Sequence, residues 1–208
     1  SIGYPPADYE KLLNWWRENS FGKHLYIGHA LYKIDNNADR NWENPAQISQ
    51  QIEMTRQAQE VQGSIFFSSK WFRQNPLGVT DTLEQSIYRY PALVPEMPWL
   101  DATPPAPPFD LEIDVAKEGL LLSWEIGKDN DDVAYYAIYR RKGKESPDTT
   151  PEYLTALHRD SLRTWIDTET RPLRKYAYTI TALDRMHNES KPLAFRSKRR
   201  WSGLFRKK

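Results

Sequence analysis

In the segment PPADYEKLLNWWRENS, Tyr9, Leu12, Leu13 and Trp16 fall at i, i+3, i+4 and i+7, the spacing of one apolar stripe along a helix. Pro5 and Pro6 lie just ahead, and Asp8 offers a cap, so a helix is predicted to begin there. LYIGHALYKI, residues 25–34, reads as a strand, with Leu25 and Ile27 alternating and Tyr26 and Tyr32 adding strand-forming aromatics. A second helix follows in NPAQISQQIEMTRQAQ, where Asn44 is the cap, Pro45 takes the first helical position, and Ile48, Ile52 and Thr55 share a face. The next strand, residues 64–69, contains the unbroken run Ile65, Phe66, Phe67, which predicts burial on both sides. A third helix is expected from about Asp81, with Leu83, Ile87 and Tyr90 on one stripe.

Helix, strand, helix, strand, helix is the order of parallel strands joined by helical crossovers. Two strands do not make a parallel sheet: a closed barrel of eight units takes about 250 residues, and an open doubly wound sheet uses five or more strands. The first hundred residues therefore read as an arc of a larger α/β domain. Seven of the 15 prolines then crowd between Pro91 and Pro108, and ATPPAPPFD predicts an extended, stiff spacer. Beyond it the period changes to two. DLEIDVA, GLLLSWEI, AYYAIYRRK, EYLTAL, TWIDT, KYAYTITALD and SKPLAF are seven short segments parted by turn residues, the pattern of a β-sandwich.

Charge changes this picture little. In 208 residues, 29 Lys and Arg balance 28 Asp and Glu for a formal +1, so bulk charge favours no class of partner, and no nucleic acid is expected. From Arg196 onward the chain carries basic residues and no acid. That tail reads as a solvated terminus, or as a patch for anionic surfaces. With no cysteine, disulfides and thiolate metal sites are excluded, and the four histidines are too scattered for a zinc site, so no metal or cofactor is expected. No apolar run is long enough to cross a bilayer.

The ordered series DYEKLLNWW, LYIGHALYKI, NPAQISQQIEM, VQGSIFFSSK, NPLG and YPALVPEMPWL resembles the closing segment of the glycosyl hydrolase-like 10 family over about half of this chain. The resemblance implies the last part of a (β/α)8 barrel acting on glycans, with residues 25–34 as its seventh strand and 64–69 as its eighth, in a bacterial cell-envelope lipoprotein that is periplasmic or anchored to the outer membrane. Trp124 in LLLSWEI, the segment YYAIYRR, and YAYTITALDRMHNES with Tyr176 as a tyrosine corner resemble a fibronectin type III domain. The expected architecture is thus multidomain, α/β plus all-β. Residues 1–100 are the barrel fragment, 101–108 a Pro-rich linker, 109–195 the fibronectin type III-like sandwich, and 196–208 a basic tail.

Barrel sites lie at the carboxyl ends of strands. The resemblance therefore places His29, Tyr32, Lys33 and Asp35 after one strand, and Ser68, Ser69, Lys70 and Trp71 after the other, along a substrate cleft. Tyr32, Trp42 and Trp71 offer faces for a sugar ring, and Lys33 and Lys70 can bond hydroxyls or a carboxylate. Each also has a packing reading: the aromatics as core or rim, His29 as a satisfied strand-end side chain, Asp35 as a turn residue, Gly28 and Gly63 as sites of close packing. Glycoside hydrolysis uses two carboxylates across the scissile bond, and in such barrels they are expected on middle strands. No catalytic residue is assigned within this chain, and the chain alone is expected to be inactive. The expected partners are a glycan, bound through the complete barrel, and further copies of the chain through exposed barrel edges. A non-catalytic glycan-binding or scaffold protein is the alternative reading.

Overall fold

The computed structural model describes residues 1–2, 8–127, 132–159, 162–170 and 175–195. The chain divides into two units, Ser1–Tyr90 and Pro91–Lys208. The basic tail from Arg196 lies outside the described residues.

In the first unit, helix α1 spans Tyr9–Glu18, and the Asp8 carboxylate accepts from the backbone N–H of Glu10 and Lys11 at 3.1 and 3.2 Å. This satisfies donors that the first helical turn leaves open. Strand β1 is Leu25–His29, α2 is Ala46–Gln57, β2 is Val61–Phe66, α3 is Ser69–Gln74 and α4 is Val79–Gln85. Asn44 opens α2, its side-chain oxygen accepting from Ala46 N–H at 3.0 Å. β1 and β2 pair in parallel, in the register Tyr26 to Gly63, Ile27 to Ser64, Gly28 to Ile65 and His29 to Phe66. Leu31, Ile34, Trp42, Ile48, Ile52, Val79 and Leu83 form the core on one side of this small sheet, joined by Phe66, Trp71, Phe72 and Ile87.

Three expectations are corrected here. The first strand stops at His29, because Leu31–Lys33 is a 3-10 helix. Residues three apart eclipse in that geometry, and Leu31 and Ile34 both enter the core from it. The second strand begins at Val61 and ends at Phe66, so Ser69, expected to close it, instead opens a helix that continues through Lys70 and Trp71. The run Ile65–Phe67 is not buried on both sides, since Ile65 is 59% exposed and Phe67 72%. In addition, α4 ends at Gln85, short of Tyr90, with Tyr88 N–H turned back onto the Leu83 carbonyl at 2.8 Å.

The second unit contains the seven strands read from the sequence: β3 (Phe109–Val115), β4 (Leu120–Glu125), β5 (Tyr135–Lys142), β6 (Leu154–His158), β7 (Thr164–Asp167), β8 (Tyr176–Leu183) and β9 (Leu193–Phe195). They form an antiparallel sheet in the order β3-β4-β7 and a second in the order β6-β5-β8-β9. This is a fibronectin type III-like β-sandwich. Its core gathers Leu111, Leu120, Leu122, Trp124, Tyr136, Ile138, Tyr178, Ile180 and Ala182.

The alternate residues of β5, Tyr135, Ala137 and Tyr139, form a second cluster with Leu154, Leu183 and Leu93. Residues 91–100, expected to belong with the first hundred, thus pack on the sandwich instead. The corner tyrosine also differs from expectation. Tyr178, not Tyr176, is buried and donates its hydroxyl to Asp167 at 2.7 Å, while Tyr176 lies half-buried 5.9 Å beneath the Arg140 guanidinium. The two residues share a face of β8, and burial deepens away from the strand end.

Candidate functional site

The site starts from how the two parallel strands terminate. At the end of β1 the chain turns through Ala30 into Leu31–Lys33; at the end of β2 it passes through Phe67 and Ser68 into α3. These two short helices lie against each other. They bring Tyr32 and Phe67 into an edge-to-face pair, with ring centroids 6.3 Å apart and an interplanar angle of 86°. Both rings reach solvent, Tyr32 at 37% exposure. The same two short helices carry Lys33, with its ammonium 5.5 Å from the Trp42 ring, and Lys70, 5.1 Å from the Trp71 ring. Ser69 and Lys70 are exposed, and Trp71 is half-buried with its body on the core.

Two candidates leave this group. His29 is 1% exposed and lies on the helix-facing side of β1. One ring nitrogen is 3.3 Å from the Gln51 side-chain oxygen and the other 3.0 Å from the Ser64 hydroxyl. Its ring stacks near Tyr9 and Phe66. Burial holds its pKa below the ordinary value, against the Gln51 hydrogen bond, which acts to raise it. Trp42 is 3% exposed inside the core, and so offers a sugar no free face. Its carbonyl accepts from Asp35 N–H at 2.9 Å, and Asp35 takes a left-handed φ of 54° at an exposed turn, as its DNN context suggests.

Phe67 is the residue that the sequence reading missed. Its apolar neighbours made it look like interior, yet it extends from the open side of the sheet. That side carries the alternate residues Tyr26, Gly28, Gly63 and Ile65, of which Tyr26 and Ile65 are exposed. Tyr26 covers Gly63: a Cβ there would lie 2.9 Å from two atoms of the tyrosine ring. Close packing thus explains Gly63, whereas a Cβ at Gly28 would meet open space.

Chemically, the strand ends offer flat aromatic faces, two ammonium groups and a serine hydroxyl, with Asp35 as the single carboxylate in the segments 29–35 and 66–72. This set can stack against a ring and bond hydroxyl or carboxylate oxygens. It does not supply two carboxylates facing one another. Among the described residues, no group of three or more His, Cys, Asp or Glu side chains could hold a metal ion, and no helix is long and apolar enough to cross a membrane.

Comparison with known proteins gives a similarity that runs through both units. The chain is 42% identical over 198 residues to glycosyl hydrolase YngK of Bacillus subtilis (strain 168), a match that takes in 92% of this chain and 38% of that protein. The chain therefore spans well under half the length of this relative. No family model matches it. Among solved structures, the spore cortex lytic enzyme SleM of Clostridium perfringens aligns over 45% of this chain and 28% of its own at 16% identity, with a TM-score of 0.34. An Fn3-like protein from Clostridium thermocellum aligns over 44% of this chain and 92% of its own at 20% identity, with a TM-score of 0.32. Likenesses this loose have no bearing on the chemistry.

Proposed function

We propose that this chain is the carboxyl-terminal portion of a bacterial cell-envelope glycoside hydrolase, contributing one wall of a glycan cleft and an accessory sandwich. The observation that carries the reading is the 42% identity to a protein named a glycosyl hydrolase, extending over both units. The first unit is then the closing arc of a (β/α)8 barrel. The bare, apolar side of β1 and β2 faces the barrel interior and is covered by strands outside this chain. Tyr32, Lys33, Phe67, Ser69, Lys70 and Trp71 stand at the barrel mouth, where rings and donors meet a polysaccharide or cell-wall glycan. The acid and its partner carboxylate come from those other strands, so the chain by itself binds weakly and does not cleave.

The test compares this chain with the longer protein that contains it on a panel of envelope glycans. Turnover is expected from the longer protein alone. In it, Phe67→Ala and Lys70→Ala should each raise KM by roughly tenfold while leaving the fold intact. Hydrolysis by the present chain at enzyme-like rates would overturn the reading. A non-catalytic glycan-binding or scaffold role is the second reading, favoured by the scarcity of acids at these strand ends. Calorimetric binding of oligosaccharide by the longer protein without turnover would select it.

A further inference from the structure

Residues 91–100, expected to close the first domain, and the start of the Pro-rich stretch after them are tied down at three points. Leu93 packs on the outward face of the four-stranded sheet, against the cluster of Tyr135, Ala137, Tyr139, Leu154 and Leu183. The Met97 N–H donates to the Met186 carbonyl at 3.0 Å. The Asn188 side-chain amide donates to the Asp101 carbonyl at 3.2 Å.

Both polar ties come from the turn between β8 and β9, and that turn is built around one buried carboxylate. Asp184 accepts from Met186 N–H at 2.8 Å, Asn188 N–H at 2.9 Å and the Asn188 side-chain amide at 2.8 Å. His187 takes a left-handed φ of 67° within it, and its ring nitrogen is 2.8 Å from the Tyr135 hydroxyl. The carboxylate fixes the turn, and the turn presents one carbonyl and one amide at the places the incoming segment needs them. Residues 97–101 answer with a turn of their own, Leu100 N–H on the Met97 carbonyl at 2.9 Å, and the Asp101 carboxylate accepts from Thr103 N–H at 2.9 Å.

We infer that residues 91–103 are an integral part of the folded sandwich, and that the Asp184–Asn188 turn is the latch that holds them over the outer face of its four-stranded sheet. The folded boundary of the second unit therefore lies some way ahead of Phe109, where its first strand begins. An apolar sheet face that would otherwise be free for a second copy or a partner is covered by the chain itself. Release of the latch uncovers Tyr135, Ala137, Tyr139 and Leu183.

Hydrogen exchange on the whole 208-residue chain tests this. In the native protein, the Met97 amide should be protected to the same degree as amides of β8. Asn188→Ala, which removes a tie, and Leu93→Ala, which loosens the seal, should each speed exchange across 91–103 by roughly tenfold or more, with β4 and β7 unchanged. If Asn188→Ala unfolds the sandwich, Leu93→Ala decides, because it touches the sheet face alone. Unfolding by Leu93→Ala would equally show the segment to be integral. Exchange of residues 97–101 at the rate of an open loop in the native chain, or no change in either variant, overturns the inference.

Discussion

Replacing Asp167 with alanine should unsettle the sandwich more than any other single polar change in it. Asp167 is 1% exposed at the end of β7, where its carboxylate accepts from Arg140 Nη1 at 2.7 and 2.8 Å, the Tyr178 hydroxyl at 2.7 Å and Glu169 N–H at 3.1 Å. Truncation takes the carboxylate acceptor from the Tyr178 hydroxyl, which has no solvent access and keeps Thr170 beside it, at a cost of about 1–3 kcal/mol. It also strips Arg140 of its buried partner. Breaking a buried pair costs about 3–5 kcal/mol, but the Arg140 side chain is 21% exposed and keeps Glu169 at 2.9 Å, so hydration and that residual pair reduce the loss. The expected total is about 3 kcal/mol. Tyr178→Phe alone removes one hydrogen bond and should cost about 1 kcal/mol. In the double variant the Tyr178 hydroxyl is gone with its acceptor, so the two losses should fall short of their sum by about 1 kcal/mol. Urea unfolding read by pulsed hydrogen exchange on β5 and β8 isolates the sandwich from the first unit. A loss under about 1 kcal/mol for Asp167→Ala, or strict additivity with Tyr178→Phe, would refute the reasoning.

A Cβ at Gly119 would clash with the Asp167 carbonyl oxygen and lie 2.7 Å from its carbon, so backbone must yield; Gly119→Ala should cost about 3 kcal/mol or more in the same assay, and a neutral result would mean that β4 and β7 can part freely. His29 has a folded-state pKa depressed by burial, so the unfolded chain binds its proton first. The first unit should therefore lose stability as pH falls through about 6.5 and level off below the folded value. His29→Leu should flatten that slope in acid-unfolding curves, and an unchanged slope would assign it to other groups. The open side of β1 and β2 should make the chain self-associate at high concentration. Ile65→Lys should reduce that association in sedimentation velocity, and a wild-type chain monomeric at every concentration would count against it.

What was legible in the sequence was what local chemistry decides. Asp8 and Asn44 cap helices through contacts two or three residues away, and the seven sandwich segments declare themselves by alternation between turn residues. Misreadings arose where a distant neighbour decides. LYIGHALYKI has the composition of one strand, but Leu31 and Ile34 are drawn into the core by Ile48, Ile52 and Trp42, and the chain coils to deliver them. The burial of His29 did leave a signal, since it continues the inward alternation of Leu25 and Ile27. Residues 91–100 read as the close of the first domain, because nothing local shows that Leu93 has a face of the sandwich to meet.

The contrast between the two units bears most directly on function. Along β3, Leu111 turns inward and Glu112 outward, the division expected of a strand whose one face meets water. Along β1 and β2, the face away from the helices carries Tyr26, Ile65 and Phe67 and no charge. Parallel sheets are covered on both sides, and their strands are apolar on both sides for that reason. A surface destined for solvent would gain solubility from charge at these positions and lose nothing in the core. The composition of this face therefore suits a neighbour, and the aromatic and lysine cluster at its carboxyl end suits the rim of what that neighbour helps to enclose. On that argument, removing the face's apolar character should leave the helix-packed core standing while weakening association through the face. Tyr32 and Lys70, beside the face rather than within it, should leave that association unchanged when replaced by alanine.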